Sequence, residues 1–269
     1  MKPALLKVGT WNIGGGILGR SHQRGVDPSL DYFASVLEAG RPDVVCLQES
    51  HDYHGRRASQ TEWLAGRLGY PYFASFPTSR SHMVEDASLA LGIVSRFPIR
   101  GAVYRRFPNP GLQVVGPNGD DWTLHDKGYV VGQLELGGGL LGLVNGHCYP
   151  LHHFGVSPTE PMFARMWDML TADLLAAGEA GPAVAAVDLN HARVGDLLAE
   201  VLRPGRYFSA FEGTPTTPQG VQKDHILYGH SIRLLTTTVA ATRSDHSYCQ
   251  ASFSGVTGSV AKNTAPKLA

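Results

Sequence analysis

The chain reads as an α/β protein in which two layers of β-sheet pack against each other with helices outside. Three observations carry that reading. Strand signals outnumber helix signals, helices nevertheless recur between them, and neither an internal repeat nor a Pro/Ser-rich linker divides the 269 residues. The expected organisation is one folding unit over residues 1–256, followed by a small, polar, loosely held tail over 257–269.

The elements follow in order. Residues 5–13 alternate and run into Gly14-Gly15-Gly16, a strand entering a flexible loop that should sit at a sheet edge. Leu30, Phe33, Ala34 and Leu37 fall at helical spacing behind Asp27-Pro28 and before Gly40 and Pro42, which predicts a helix over 28–39. A buried strand over 44–48, a short helix over 61–68 and strands over 72–76 and 87–95 come next. Strand signals recur over 102–107, 129–136 and 140–145, and Gly137-Gly138-Gly139 marks a hairpin between the last two. The segment 120–125 gives no clear signal. Phe163, Met166, Trp167, Leu170, Leu174 and Leu175 make the widest apolar stripe, predicting a helix over 161–177 that needs a sheet to cover. A strand over 183–187, a helix over 194–202 and strands over 226–228, 232–239 and 247–253 complete the chain.

Composition narrows the class of protein. Charged residues are 17% and glycines number 32, so the chain is apolar enough to fold and rich in tight turns, which excludes intrinsic disorder. Lys+Arg and Asp+Glu are equal at 23 each, which argues against a surface built to coat nucleic acid and leaves room only for a local basic groove. No apolar run approaches the ~18 residues that span a bilayer, and Lys7 interrupts residues 2–6 before a signal-peptide core forms. A soluble, unexported, cytoplasmic protein with no obligate protein partner is expected. Cys46, Cys148 and Cys249 are far apart and lie in or beside apolar stretches, the pattern of free buried thiols, and no CxxC zinc pattern occurs.

Polar, metal-capable residues recur where apolar strands end. Asn12 ends the first strand, Glu49 follows Val45-Cys46-Leu47-Gln48, and His147 follows Leu143-Val144-Asn145-Gly146. Asp188 and Asn190 follow residues 184–187, while Asp224-His225 and Asp245-His246 open strands. Strand ends facing one rim of a sheet are where distant sequence positions assemble a site. Any one of these residues alone reads equally well as a turn residue, a helix cap or a structural histidine. Together they do not.

The pieces Thr10-Trp11-Asn12, Leu47-Gln48-Glu49, Gly92-Ile93-Val94-Ser95-Arg96-Phe97-Pro98-Ile99, Asn145-Gly146-His147, Val187-Asp188-Leu189-Asn190, Asp224-His225-Ile226 and Ser244-Asp245-His246 are spread along almost the whole chain, and the pattern they belong to covers about residues 5–253. In this order the chain resembles the endonuclease/exonuclease/phosphatase superfamily, the DNase I-like metal-dependent phosphoesterases. The resemblance implies a four-layer α/β sandwich, two face-to-face β-sheets flanked by helices, with the site at one rim.

It also implies roles. Phosphoester hydrolysis needs charge neutralisation on phosphate oxygens, a positioned water and a stabilised leaving oxygen, and oxygen-rich ligands select Mg²⁺ or Mn²⁺. By the resemblance Glu49 is the principal ligand of one such cation, with Asn12 and Asp245 in or near its shell. Asp188 would orient or deprotonate the attacking water beside Asn190. His246, oriented by Asp224, would contact the scissile phosphate, and His147 would donate to another phosphate oxygen or to the leaving group. Two departures bear on subfamily. Val187 replaces the family's glycine before Asp188, which changes little, and Gly14 stands where the apurinic-endonuclease branch carries an acidic residue, which with His147 disfavours abasic-site repair.

Candidate substrate contacts lie in the irregular segments. Arg56 and Arg57 follow His51-Asp52-Tyr53-His54-Gly55, and His152 and His153 follow Cys148-Tyr149-Pro150-Leu151, with Ser79-Arg80-Ser81-His82 of similar character. Arg and His pairs suit a second phosphate or carboxylate, and the alternative is a solvated polar loop. Extra histidines there would also admit a second, softer cation. The expected protein is a Mg²⁺- or Mn²⁺-dependent phosphoric ester hydrolase acting on nucleic acid or on a small-molecule or lipid-headgroup phosphate. A catalytically inactive binding protein on the same fold is the alternative, and neither Gly-x-Ser-x-Gly nor His-Glu-x-x-His occurs to support a carbon-ester hydrolase.

Overall fold

A computed structural model of the chain describes residues 5–19, 29–55 and 57–256. The elements run β1 (Leu6–Asn12), α1 (Leu30–Gly40), β2 (Val44–Tyr53), α2 (Gln60–Leu68), β3 (Tyr72–Arg80), β4 (Ala87–Ser95), β5 (Ile99–Arg106), β6 (Gln113–Val115) and β7 (Asp121–Thr123). The second half contributes β8 (Gly128–Leu136), β9 (Gly139–His147), α3 (Ala164–Ala180), β10 (Ala183–Asp188), α4 (Val194–Leu197), β11 (Tyr207–Ser209), β12 (Asp224–Gly229), β13 (Arg233–Ala240) and β14 (Tyr248–Ser254).

These strands build two six-stranded mixed sheets, ordered β13-β14-β1-β2-β4-β3 and β11-β12-β10-β9-β8-β5, with β6 and β7 as a separate hairpin. At the centre of each sheet lies a parallel pair, β1 with β2 and β9 with β10, flanked by antiparallel neighbours. The sheets face each other across one core. Leu6, Val8, Cys46 and Phe253 from the first meet Val130, Leu143, Val184 and Ile226 from the second. Outside, Phe33, Leu37 and Leu64 of α1 and α2 cover Trp11, Val45 and Leu47, while Phe163, Met166, Leu170 and Leu174 cover Val144, Ala185 and Val187. The layers are therefore helix, sheet, sheet, helix, as the resemblance implies. Burying one such Leu or Phe side chain is worth ~1.5–3 kcal/mol, so the three cores supply the main force that holds the layers together.

Local signals explain the element ends. The Ser59 hydroxyl accepts the Glu62 backbone N–H at 3.0 Å and caps α2, and Gly69 closes that helix in the left-handed region at φ +68°. The α3 stripe lands on the second sheet, although its first turn, Pro161–Phe163, is 3₁₀ rather than α.

Several expectations need correction. Gly14–Gly16 is no flexible loop at a sheet edge: it is a buried 3₁₀ turn at the end of the central strand β1. The Gln60 amide donates to the Gly15 carbonyl at 2.6 Å, and His51 packs so close that a Cβ on Gly15 would meet its Cε1 at 2.5 Å. β2 does not stop at Gln48 but continues to Tyr53, so His51, Asp52 and Tyr53 pair with β4 instead of forming a loop. β3 likewise runs on through Ser79 and Arg80. The helix expected over 194–202 shrinks to the four residues of α4, because Leu198 leaves the helical region at φ −127°, ψ 44°. The tail over 257–269, Asp27-Pro28 and Arg56 lie outside the described residues. Among the described residues no helix is long and apolar enough to cross a membrane.

Candidate active site

The strand directions bring the polar strand ends together. β1, β9 and β10 finish at one rim, β2 bulges there before running on to Tyr53, and the antiparallel neighbours β8, β12 and β14 begin there. Asn12 pairs with Gln48, one residue before Glu49. His147 pairs with Asp188 across the parallel pair, and Asp188 pairs with Asp224 on the other side. Asp245 and His246 stand just before β14.

A buried polar brace lies beneath this rim. Gln48 Nε2 donates to Asn145 Oδ1 of the opposite sheet at 2.8 Å, and Asn145 Nδ2 donates to the carbonyls of Leu47 at 3.2 Å and Gly92 at 2.9 Å. Satisfied buried amides of this kind fix the relative position of the two sheets, and thereby of the two halves of the site.

Glu49 reaches the site through an irregularity. The register of β2 on β4 shifts between Leu47 and Ser50, and Glu49 sits within that bulge at φ +53°, a conformation that costs a non-glycine residue ~1–2 kcal/mol. The bulge lets pairing resume at Ser50↔Ala90 while Glu49 turns toward the rim. Its Oε1 accepts from Lys127 Nζ at 2.9 Å and lies 3.8 Å from His147 Nε2.

Asp188 is fully buried at the centre. Oδ2 accepts from Asn12 Nδ2 at 3.0 Å and Oδ1 from the Asn190 backbone N–H at 2.8 Å, while His147 Nε2 and His246 Nε2 stand 3.5 and 3.9 Å from Oδ2. Burial pushes its carboxyl up to about 6, with the His246 charge and the Asn12 amide pulling the other way. Asn190 takes a left-handed conformation, φ +52°, which an asparagine tolerates, and its Nδ2 lies 3.1 Å from the Cys148 carbonyl and 3.3 Å from His147 Nε2. His246 Nδ1 is 2.8 Å from Asp224 Oδ2. Burial alone would lower this imidazole, but the carboxylates of Asp224 and Asp188 outweigh it and raise it to about 10, so the ring is an imidazolium at neutral pH. The second oxygen of Asp224, Oδ1, is buried without a hydrogen-bond partner among the described residues. Ser244 Oγ donates to Asp245 Oδ1 at 3.1 Å, and the Asp245 charge adds to those acting on His246.

The structure thus gathers Asn12, Glu49, His147, Asp188, Asn190, Asp224, Asp245 and His246 at one place. Among the described residues, Asp188, Asp224 and His246 are the group whose donor atoms come within 4.8 Å of one another, a different set from the expected Asn12, Glu49 and Asp245.

The substrate candidates are more dispersed. His152 and His153 are exposed on the turn Leu151–Phe154 that follows β9, their rings 4.1 Å apart, with Lys223 Nζ 3.3 Å from His152 Nε2 and Trp122 edge-on to His153 at 5.6 Å. Arg57 instead lies over the Tyr53 ring at 3.8 Å. Burial pushes the Cys148 and Cys249 thiols far up, which makes them unreactive core residues, and all three cysteines are unpaired and buried as expected.

Two lysines escaped the sequence reading. Lys223 precedes Asp224 and its charge is felt by Asp188 and His147. Lys127 is buried between Glu49 and His147, its Nζ 3.1 Å from His147 Nδ1. A signal for Lys127 existed: the glycine turn pairs Leu136 with Gly139, and counting back along the hairpin sets Gly128 opposite His147.

Two face-to-face mixed sheets between helices, with carboxylates, amides and histidines at one rim, define the DNase I-like class of α/β sandwich. Within it the chain belongs to the Endonuclease/Exonuclease/phosphatase family, whose sequence model matches residues 9–246. Among solved structures it is similar to an endonuclease/exonuclease/phosphatase from Beutenbergia cavernae, with TM-score 0.69 and 18% identity over 93% of this chain and 71% of that one. ANGEL2, a 2′,3′-cyclic phosphatase, aligns with TM-score 0.65 and 15% identity over 94% and 96% of the two chains. The human Nocturnin catalytic domain with bound sulfate aligns with TM-score 0.61 and 16% identity over 93% and 94%. No curated protein sequence matches the chain.

Proposed function

We propose that the protein is a divalent-cation-dependent phosphoric ester hydrolase, and the observation that carries this reading is Asp188. A buried carboxylate, held by Asn12 and the Asn190 backbone, stands within 4 Å of two histidine nitrogens, one of them on an imidazolium. That arrangement supplies a proton acceptor and one positive donor, His246, in one small space, as attack of water on a phosphate ester requires. Family membership and the likeness to a 2′,3′-cyclic phosphatase support the same chemistry.

The residues fit a hard cation. Glu49 is aimed at the rim by a strained bulge, Asp224 keeps one buried oxygen without a hydrogen-bond partner among the described residues, and the carboxylates of Asp188 and Asp245 add oxygen ligands nearby. Glu49, with Asn12 and Asp245, would hold Mg²⁺ or Mn²⁺, which neutralises charge on the phosphate oxygens when bound. The chain's own groups do the rest. Asp188, with its affinity for protons raised by burial, accepts the proton of the attacking water. His246, kept protonated by Asp224, donates to a phosphoryl oxygen. His147 and the Asn190 amide offer donors to another phosphate oxygen or to the leaving group.

The test is hydrolysis of bis-p-nitrophenyl phosphate and p-nitrophenyl phosphate with Mg²⁺, Mn²⁺ or EDTA, using wild type, Glu49→Ala and Asp188→Asn. Metal-dependent turnover that falls more than about tenfold in both variants is expected, and the preferred ester sorts diesters from monoesters. A Glu49→Ala enzyme with undiminished activity would sink the cation assignment.

A further inference from the structure

We propose that Lys127 is a positioning residue that fixes the tautomer of His147, holding its Nε2 as the N–H donor and its Nδ1 as the lone pair. Lys127 is 4% exposed, and its Nζ lies 3.1 Å from His147 Nδ1 and 2.9 Å from Glu49 Oε1. An ammonium has three donors and no acceptor, so its bond to Nδ1 exists only if Nδ1 carries the lone pair. In a neutral imidazole the hydrogen is then on Nε2. A doubly protonated ring would set an Nδ1–H donor and a second positive charge against an ammonium 3.1 Å away in a buried space.

The carboxylates around Nε2 agree, and the Asn190 amide is the neighbour that competes for an Nε2 lone pair. Its nearest carboxylate oxygens are Asp188 Oδ2 at 3.5 Å and Glu49 Oε1 at 3.8 Å, both acceptors. Asn190 Nδ2 is 3.3 Å from Nε2 and already bonds the Cys148 carbonyl at 3.1 Å, which orients its amide with the nitrogen toward the histidine. With Nε2 protonated, that approach sets two donors side by side rather than a donor on an acceptor. Two N–H groups at this separation suit one acceptor oxygen placed between them. On the hydrolase reading, and only on it, that oxygen belongs to the phosphoryl group or the leaving group.

The tautomer is observable without activity. Two-bond ¹H–¹⁵N correlation spectra of the ¹⁵N-labelled full chain, recorded in EDTA and in Mg²⁺, distinguish Nε2–H from Nδ1–H histidines, and His147→Gln assigns the signal. Wild type is expected to show His147 protonated at Nε2 alone. Lys127→Met should mix the tautomers, and Lys127→Arg, which keeps a donor, should restore Nε2–H. With the better p-nitrophenyl ester, Lys127→Met should lose at least about tenfold in kcat with little change in KM. A wild-type His147 protonated at Nδ1 overturns the proposal, and this arm needs no variant to fold. An unchanged tautomer in Lys127→Met overturns it as well. If Nε2–H is found while Glu49→Ala and Asp188→Asn retain full turnover, the hydrolase reading fails and the role of Lys127 stands.

Discussion

The Glu49–Lys127 pair can be tested by Glu49→Gln and Lys127→Met, made singly and together. The two side chains are 14% and 5% exposed with their charges 2.9 Å apart. At an effective dielectric of ~20 their attraction is ~6 kcal/mol, and the desolvation of both ions offsets most of it. The intact pair is therefore worth little against two uncharged side chains of the same size. Removing one partner is different, because the other is left buried and uncompensated at a cost of ~3 kcal/mol. Each single variant should lose about that much, and the double variant no more than ~3 kcal/mol where additivity gives ~6. For a chain of this size the single losses correspond to ~6–12 °C in Tm. Thermal and urea unfolding followed by circular dichroism in EDTA measures the cycle with no divalent cation to replace the lysine. A double variant that loses the sum of the singles to within ~0.5 kcal/mol refutes the coupling.

Three other outcomes follow from the same coordinates. His246 is raised to about 10, so its contribution is complete below its unfolded value of ~6.5 and drains away as pH rises through 10. Wild type should lose on the order of 4 kcal/mol across that interval and Asp224→Asn much less, as urea midpoints at successive pH values will show. His51 is the opposite case: burial lowers it to about 4, so its contribution is present above ~6.5 and is lost as pH falls toward 4. His51→Gln should flatten that acid limb, worth on the order of 3 kcal/mol in wild type. Gly15→Ala puts a Cβ 2.5 Å from His51 Cε1 at φ +68°, and a loss of ~2–4 kcal/mol in unfolding free energy is expected, with an unchanged Tm ruling out the packing described.

Much of the site was legible because its residues end apolar strands. Asn12, Glu49, His147, Asp188, Asp224 and His246 each follow or precede a run whose alternation or continuous apolarity marks it as buried, and parallel central strands deliver those ends to one rim. What pattern alone does not show is a slip of register. The bulge at Glu49 leaves no trace in hydrophobic periodicity, so the strand reads as ending where it continues to Tyr53. Glycine runs mislead in another way, since Gly14–Gly16 carry positive φ in a buried turn where His51 and Gln60 pack on Gly15, an ordered arrangement that local flexibility imitates. Gln48 and Asn145 stand beside site residues in the motifs and serve as the brace between sheets instead. Lys127 was missed because the segment before β8 gave no clear signal, although hairpin counting reaches it.

The charges at the rim join these parts. Glu49, Asp188, Asp224 and Asp245 are opposed by Lys127, Lys223 and the His246 imidazolium, so the protein alone leaves the site only weakly negative. Such a balance lets the carboxylates stay buried while the chain folds, since each has a cation or a donor close by. Under the hydrolase reading a divalent cation at Glu49 would tip the site to net positive, the sign that an anionic phosphate ester needs. Under the hydrolase reading, cation and substrate therefore bind with positive coupling, and thermodynamic reciprocity requires that a phosphate ester tighten the cation by the same factor by which the cation tightens the ester. On that reading Lys127 would set the scale of the coupling, because the carboxylate it pairs with at 2.9 Å is the one the incoming cation would share.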